Sequence, residues 1–405
     1  MASLMAKGVL TMKLKCSEFA ITRASCAYFF IGPGLTYGLL TSRMPALKLQ
    51  TGADETEIGL SLLCLGIAAM ITLFASPFLI ARWSSKTMLR IGSALLLLAL
   101  PLCGLASTPF QLAMTCGVFG LSTGLTDICM NAQGIQIERK YRASSMSLLH
   151  ASYSIGCVLA SLLGSLFAAF GINSLLNFLC IIILYACLRP FFLPHLLNDP
   201  PVEQSSSKKS LRVPPIFIII CGLLAMCSYA VEGAAAEWGS LLLFTVKGAS
   251  EQTAALVLGV FASATAICRL GGDYLRTRLG DFTISFGGSL LAACGMGIVL
   301  ISPWPVLCLA GYACVGAGIS IIVPILFSRA GKYPGVTPGE ASATICVLAY
   351  SGLLFFPPTL GAVAHRAGLE KSLLIVFVLC WILCSGSFLL KTKKSPSATD
   401  IAAQK

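Results

Sequence analysis

The longest polar stretch of the chain reads HLLNDPPVEQSSSKKSLR and covers residues 195–212 of 405. It is rich in proline, serine and charge, a composition typical of a linker. The chain around it is mostly apolar: 57% of all residues are hydrophobic and 11% are charged, whereas a soluble domain carries about 25% charged residues. The stretch therefore divides an integral membrane protein into two halves of similar length.

Apolar segments of membrane-spanning length lie on both sides of this linker. A helix needs about 20 mostly apolar residues to cross the bilayer core, because lipid offers no partner for backbone polar groups. The sequence therefore predicts an all-α membrane protein with twelve transmembrane helices in two pseudo-symmetric six-helix bundles. The bundles are residues 1–193 and 214–405, joined by a cytosolic linker at 194–213. The predicted spans are residues 18–41, 57–81, 88–106, 109–137, 146–170, 172–193, 215–238, 252–274, 282–302, 304–327, 341–364 and 372–390.

The positive charge of the chain predicts its orientation. The formal net charge is +12, but the cations are scattered over short loops instead of forming one basic face, so we expect no nucleic-acid partner. Residues 1–17 lack the compact apolar core and cleavage site of a signal peptide. If the amino terminus is cytosolic, the odd-numbered connections hold few cations: Arg43, Lys48, Lys247, Arg366 and Lys371. The positive-inside rule thus predicts two cytosolic termini in a cell (inner) membrane protein.

The sequence contains no pattern that predicts catalysis, a cofactor or a metal. Nearly all of the 18 cysteines fall inside apolar spans, and Cys380 and Cys384 lack the two-residue spacing of a metal or redox motif. No phosphate-binding glycine loop and no catalytic constellation stands out. We therefore expect a protein that is not an enzyme, and any energy must come from an ion or solute gradient.

A short basic turn follows the second span of each half. The second turn, RLGGDYLRTRLGD at residues 269–281, resembles the signature of the major facilitator superfamily through Arg269, Gly272, Asp273, Leu275, Arg278 and Gly280. The first turn, PFLIARWSSK at 77–86, keeps Arg82 and Lys86. It has Pro77, Ala81 and Ser84 where the family has a glycine, an acid and a second glycine. The resemblance implies a conformational latch in which such groups pair across the bundle ends. Its candidates are Arg82, Arg269, Asp273 and Arg278.

Longer strings resemble one branch of that family. GLTDICMNAQGIQIER at 124–139, LLHASYSIG at 148–156, EGAAAEW at 232–238, and Tyr350 followed by FFPPTLG are similar to fucose-permease-like, MosC-like proteins. The resemblance implies a carrier with alternating access, and proteins of this branch are described as uptake carriers for sugars or sugar-like compounds. We therefore expect a small polar, sugar-like solute.

Acidic residues inside the spans are the first candidates for chemistry, because a charge at the bilayer centre costs about 3 kcal/mol or more. Asp127 lies near the middle of the fourth span, and Asn131 follows one helical turn later on the same face. Asp127 is a candidate substrate or proton site. The alternative is a structural acid that is bonded to a helix neighbour or paired with Arg23 or Arg269.

The seventh span carries a second acid, Glu232, with Tyr229 one turn away. A carboxylate beside aromatic rings is suited to binding sugar hydroxyls, but it is equally suited to a pairing role at an outer gate. Glu237 precedes Trp238 at the expected outer interface, where aromatic belts are ordinary. We expect Glu237 to be a solvated residue at the end of the span.

Other candidates are a histidine, a tyrosine and the prolines within spans. His150 is a candidate binding residue because imidazole changes charge near neutral pH, although a structural role close to the cytosolic side is the simpler interpretation. Tyr350 is a further candidate binding residue. The prolines at 33, 324, 357 and 358 are expected to interrupt their helices, either for gating or for packing alone.

These observations favour a secondary active carrier that couples solute movement to a proton through Asp127 or Glu232. The expected partners are a small solute, a proton or other coupling ion, and the lipid bilayer, and we expect a monomer. An efflux carrier for amphipathic or toxic compounds is the alternative, since an apolar cavity with an embedded acid suits lipophilic cations. A membrane sensor or assembly partner without transport activity is the alternative of another class.

Overall fold

The computed structural model describes residues 2–143, 145–198, 214–336 and 338–391. Within these ranges it describes only the backbone of residues 2–17, 77, 147, 273, 338–340, 342 and 343. All regular secondary structure in the described ranges is helical. Part of the predicted linker and of the carboxyl-terminal tail therefore lies outside the described residues.

Within the described ranges, the first half contains seven α-helices and the second half contains seven more. The first seven are α1 (Ala2–Ser42), α2 (Met44–Thr51), α3 (Glu55–Trp83), α4 (Ser85–Leu105), α5 (Pro109–Tyr141), α6 (Met146–Ala169) and α7 (Ser174–Phe192). The others are α8 (Ile216–Thr245), α9 (Glu251–Ala254), α10 (Leu256–Ile301), α11 (Pro305–Ile319), α12 (Ile322–Ala330), α13 (Pro338–Ala367) and α14 (Leu369–Gly386).

The twelve-span, all-α membrane fold is confirmed. Eleven segments of the described chain are long and apolar enough to cross a membrane. The twelfth is α1, in which residues 32–34 read Gly-Pro-Gly and lower the mean hydropathy. α10 contains two spans, which meet at Gly280 with φ 80° and ψ 160°. α11 and α12 together form one span.

The helices pack in two groups. In the first, α3 packs on α5, α1 on α6, and α4 on α5 and α7. In the second, α10 packs on α11 and α14, and α8 packs on α13. The two groups meet chiefly where α3 contacts α13 and α6 contacts α10. The exact bounds of the two bundles stay a prediction.

Glycines on α5 permit its close approach to α3. A Cβ atom at Gly120 would lie 2.1 Å from the carbonyl oxygen of Leu65, and one at Gly124 would lie 2.2 Å from the Thr72 hydroxyl. Small residues of this kind let membrane helices approach at backbone distance. Gly117, on the same stripe, faces open space. The glycines at 120 and 124 therefore pack α5 and hold its polar face in place.

The expectation that proline interrupts its helix is wrong at three of the four positions. α1 continues through Pro33, and α13 continues through Pro357 and Pro358. At Pro324 the helical run does break, but the break lies before the proline, between the end of α11 and the start of α12. Proline has no N–H for the carbonyl four residues earlier, which here belongs to Ser320.

Candidate functional site

A cavity of about 410 Å³ lies between the two groups of helices. Residues of α1, α3, α5 and α6 line one side, and residues of α8, α10 and α13 line the other. Because both groups contribute, any movement of one group against the other changes the shape of the cavity. This is the position expected for a solute site in a carrier built from two bundles.

One face of the molecule carries most cations of the helix ends, and we call it the basic face. It includes the ends of α3, α5, α7 and α12 and the break in α10, and its cations include Arg82, Lys140, Arg189, Arg278 and Arg329. Some of these cations bond locally. Lys140, for example, lies 2.7 Å from the carboxylate of Glu18. The basic face is the one that the distribution of Lys and Arg predicts to be cytosolic.

The face opposite to the basic face is sealed between the two groups, and we call it the closed face. Three polar contacts join α1 and its extension to α8 and α9: Tyr37 donates to Glu237 at 3.0 Å, Ser240 donates to the carbonyl of Thr41 at 2.9 Å, and Arg43 Nε lies 2.9 Å from Glu251 Oε1. Arg43 is 1% exposed, and two carbonyls of its own group also accept from its guanidinium.

The cavity opens toward the basic face. α8 runs from the basic face to the closed face, so Glu232 lies nearer the basic face than Glu237 does. The side chains of Glu232 and Arg269 are 38% and 44% exposed, and His150 is exposed as well. Solvent therefore reaches the middle of the cavity from the basic face.

Asp127 lines the cavity from α5, as the sequence predicts. Asn131 donates its side-chain amide to the backbone carbonyl of Asp127 at 2.8 Å and to the Asp127 carboxylate at 3.4 Å. In the described part of the chain, Asp127 forms no ion pair with Arg23 or with Arg269. The amide of Asn131 thus orients a carboxylate that keeps its capacity to bind a proton or a donor group of a solute.

Glu232 lines the same cavity from the opposite side. Its carboxylate lies 4.0 Å from a guanidinium nitrogen of Arg269, which is the limit for an ion pair. Arg269 Nε donates to the carbonyl of Ser320 at 3.1 Å. This carbonyl is the one that Pro324 leaves without a helical donor, so the proline supplies an anchor for a cavity cation.

Aromatic side chains complete the lining. The rings of Tyr229 and Tyr350 lie 5.8 Å apart at an angle of 53°, one on α8 and the other on α13. Both line the cavity, and so does Tyr153 on α6. His150 also lines it, with its ring edge against Phe30 at 5.3 Å. The candidates Tyr229, Tyr350 and His150 therefore lie around the two acids.

The fold and the site agree with the comparisons to known proteins. The family model described as Major Facilitator Superfamily matches residues 25–344.

The chain belongs to the major facilitator superfamily.

Relatives of this superfamily member are bacterial membrane proteins. It is 30% identical over 84% of its length to an uncharacterized MFS-type transporter of Yersinia pestis, of which 88% is covered. It is 27% identical over 93% of its length to the membrane protein MosC of Rhizobium meliloti, of which 91% is covered. The resemblance to the MosC-like branch is confirmed.

Solved structures share the fold of this superfamily member at low identity. The nucleoside transporter NupG superposes with a TM-score of 0.74 at 15% identity, over 92% of this chain and all of that one. A bacterial homologue of the human lysosomal transporter Spinster, in an inward-facing and unoccupied conformation, gives a TM-score of 0.71 at 14% identity, over 92% and 97% of the chains. These likenesses establish the fold.

Three of the latch candidates of this superfamily member have described side chains. Arg82 lies over the ring of its neighbour Trp83, and Arg278 lies over Tyr274. Arg269 lines the cavity, and the latch stays a prediction. The side chain of Asp273 lies outside the described residues.

Sequence reasoning missed a charge cluster at the end of the second basic turn. Asp281 accepts hydrogen bonds from Arg276 and from Arg329, which joins the break in α10 to the end of α12. The signal in the sequence was Asp281 itself, an acid directly after the glycine at which the helix breaks. This cluster lies within the second group of helices.

The expectation that Glu237 is solvated is wrong. Glu237 is 6% exposed and Trp238 is fully buried, because α8 continues to Thr245 beyond the predicted end of the span. The Glu237 side chain lines the cavity at its closed end. A third acid therefore belongs to the site, and the clue was the apolar run at residues 241–244, which extends the span by two turns.

Proposed function

We propose that this protein is a secondary active carrier for a small polar, sugar-like solute, which works by alternating access and is coupled to protons. The two bundles, residues 1–193 and 214–405, rock against each other around the cavity. The solute binds between Asp127 on one side and Glu232 with Arg269 on the other. We propose a monomer in the cell (inner) membrane with both termini cytosolic, because the basic face carries the cations that the positive-inside rule assigns to the cytosol.

A single observation carries this proposal. The cavity is lined from both groups, contains acids from both, and is closed on only one face. Carboxylates, a guanidinium and tyrosine hydroxyls offer donors and acceptors at several angles, which suits a solute with many hydroxyl groups. An alternating-access carrier requires a site of this kind, reachable from one side at a time.

Asp127 is the better of the two proton candidates. Glu232 has the Arg269 guanidinium 4.0 Å away, so its partner is a cation. In the described residues, the side-chain partner of the Asp127 carboxylate is the neutral amide of Asn131. A carboxyl group in the membrane without a cation is stabilised by binding a proton. We therefore assign solute orientation to Glu232 and Arg269, and proton binding to Asp127.

The test uses purified protein in liposomes with an imposed pH gradient and a panel of sugars, polyols and related polar solutes. We expect one class to accumulate when the gradient favours it. Asp127→Asn should abolish gradient-driven accumulation, whereas the control Glu18→Gln, an exposed acid away from the cavity, should not. A wild-type protein that moves none of these solutes contradicts the proposal.

The second candidate is an efflux carrier for amphipathic compounds. The apolar side chains of Leu65, Met70 and Leu354 also line the cavity and suit the body of a lipophilic cation. A drug-sensitivity panel on a deletion strain distinguishes the two, since loss of efflux sensitises cells and loss of uptake does not. A protein that binds ligand but shows no counterflow in liposomes supports the sensor alternative.

A further inference from the structure

The closed end of the cavity contains a carboxyl oxygen without a protein partner. Glu237 Oε1 accepts the hydroxyl of Tyr37 at 3.0 Å, but Oε2 accepts no hydrogen bond from any described protein group. The residue is almost fully buried, with 6% of its surface exposed. A charged carboxylate buried with one neutral donor is poorly solvated, so this geometry favours a bound proton.

No ion pair joins Glu237 to a cation in the described part of the chain. The cavity cation Arg269 on α10 lies beside Glu232, toward the basic face, and Arg43 at the end of α1 is paired with Glu251. The ionisable side chains near it are Tyr37 on α1, Tyr153 and Cys157 on α6, and Cys116 on α5. On its own helix the nearest ionisable groups are Glu232 and Tyr229, which lie toward the basic face, and α13 contributes Tyr350. All of these groups are neutral or acidic, so none compensates a negative charge on Glu237.

Glu237 also lies at the seam that must separate if the cavity is to open on the closed face. The bond from Tyr37 joins α1 to α8, and the next contact along the same two helices joins Thr41 to Ser240. Opening of this seam exposes the Glu237 carboxyl to water from the closed face. In the present conformation the same carboxyl lines a cavity that opens to the basic face.

We propose that Glu237 is a second proton-binding site, and that its protonation permits the closed face to seal. When the closed face is open, the carboxylate takes one proton from a hydronium ion on that side and leaves water. The neutral acid is then buried against Tyr37. When the closed face opens again, the proton leaves to water on that side. This inference rests on the proposed alternating access, and it adds a proton-linked gating residue that is distinct from Asp127.

The proposal requires that opening of the closed face and release of a proton are linked. Over some pH range the Glu237 carboxyl is ionised in the open state and protonated in the closed state. In that range one proton leaves on opening, and the equilibrium constant for opening rises about tenfold for each pH unit. Amide hydrogen exchange measures such an equilibrium without any solute. The segments to follow are residues 37–43 and 237–251, which form the two sides of the seam.

The experiment is exchange mass spectrometry of the full-length protein in nanodiscs between about pH 5 and pH 8, corrected for the intrinsic pH dependence of exchange. In the wild type we expect exchange of both segments to rise with pH by up to tenfold per unit. Glu237→Gln should remove this dependence and keep exchange low, because the amide stays neutral. Glu18→Gln should retain the dependence, since Glu18 lies outside both the seam and the cavity.

Tyr37→Phe provides a second, mild variant. It removes the hydroxyl that bonds to Glu237, so exchange should be higher than in the wild type at every pH, while its dependence on pH remains. Wild-type exchange that does not change with pH in these segments overturns the proposal, as does a Glu237→Gln variant with wild-type dependence. Because no solute is used, these results are separable from a failure of solute transport in liposomes.

Discussion

Ser84 holds a backbone conformation that suits glycine, which makes Ser84→Gly an informative perturbation. The residue joins α3 to α4 and has φ 71° and ψ 151°. Residues with a Cβ atom rarely adopt this region of φ and ψ, and each residue that does so adds about 1–3 kcal/mol of backbone strain. The equivalent turn of the second half has Gly280 at φ 80° and ψ 160°. The two turns therefore share one conformation, but only the second has the residue that adopts it without strain.

The magnitude follows from three terms. Glycine at position 84 relieves the strain of about 1–3 kcal/mol. The Ser84 hydroxyl caps α4 by accepting from the backbone N–H of Thr87 at 3.3 Å, and replacement of a serine cap by glycine costs a few tenths of a kcal/mol. The greater freedom of glycine in the unfolded chain costs about 0.5–1 kcal/mol. We expect Ser84→Gly to stabilise the protein by about 1 kcal/mol.

The assay is reversible unfolding in mixed micelles, from which the free energy of unfolding is obtained. Ser84→Ala is the matched control, because it keeps the strain and loses the cap, and it should destabilise by about 1 kcal/mol. Gly280→Ser places the strain in the other half and should destabilise by about 1–3 kcal/mol. A Ser84→Gly protein that is no more stable than the wild type refutes the reasoning about strain.

Three further perturbations follow from contacts in the structure. Arg43→Met should destabilise the closed face by about 3 kcal/mol, because it leaves the Glu251 carboxylate without its cation. The double variant with Glu251→Leu should recover part of this loss, since an unpaired charge costs more than no pair. Equal amide hydrogen exchange of residues 37–43 in the two variants contradicts this. Gly32→Ala should destabilise by about 1–3 kcal/mol, because the new Cβ would lie 2.3 Å from the Tyr185 hydroxyl oxygen, and Tyr185→Phe should relieve part of the loss in thermal unfolding. Arg269→Lys should weaken solute binding about fivefold in a thermal-shift titration, since lysine lacks the planar group that reaches both the Ser320 carbonyl and the Glu232 carboxylate. An unchanged affinity would show that the bond to Ser320 is dispensable.

The positions of the spans were predictable because one physical requirement determines them. Every backbone polar group inside lipid must be bonded within its helix, so each span appears as about 20 apolar residues. The fourth span illustrates the accuracy: it begins at Pro109 as predicted, and Thr108 caps it by accepting from the N–H of Gln111. Proline after a capping threonine is a local signal that needs no tertiary information.

The acids of the cavity were predictable in part. The cost of a charge in lipid points to Asp127 and Glu232 without a structure, and both line the cavity. The same argument should have included Glu237. Its position beside Trp238 has the pattern of a membrane interface, and that pattern decided the prediction. The apolar run at 241–244 shows that the span continues beyond Trp238, whereas the contact of Glu237 with Tyr37 depends on how α8 packs on α1.

Partners across helices were not predictable from local sequence. A proline at 324 predicts a free carbonyl at Ser320, and that much is local. The Ser320 carbonyl accepts a hydrogen bond from Arg269 on another helix, and this bond depends on how α10 packs on α11. The motif indicates a latch role for this arginine, and its place in the cavity lining is visible only in the tertiary structure. Sequence therefore indicates which groups are left without partners, and the tertiary fold decides what binds them.

The departure of the first basic turn from the family pattern does not argue for a protein without transport activity. The signature combines two separate requirements: a positive φ where two helices meet, and an acid for pairing. Both Ser84 and Gly280 have the positive φ that the turn requires, but Ser84 adopts it with backbone strain and Gly280 adopts it without strain. The acid for pairing is missing at Ala81. The polar contacts that seal the described structure lie on the opposite, closed face. The geometry that reverses the chain between α3 and α4 is thus retained, and control of opening can rest on the contacts of Arg43 and Glu237 instead of a latch at the first turn.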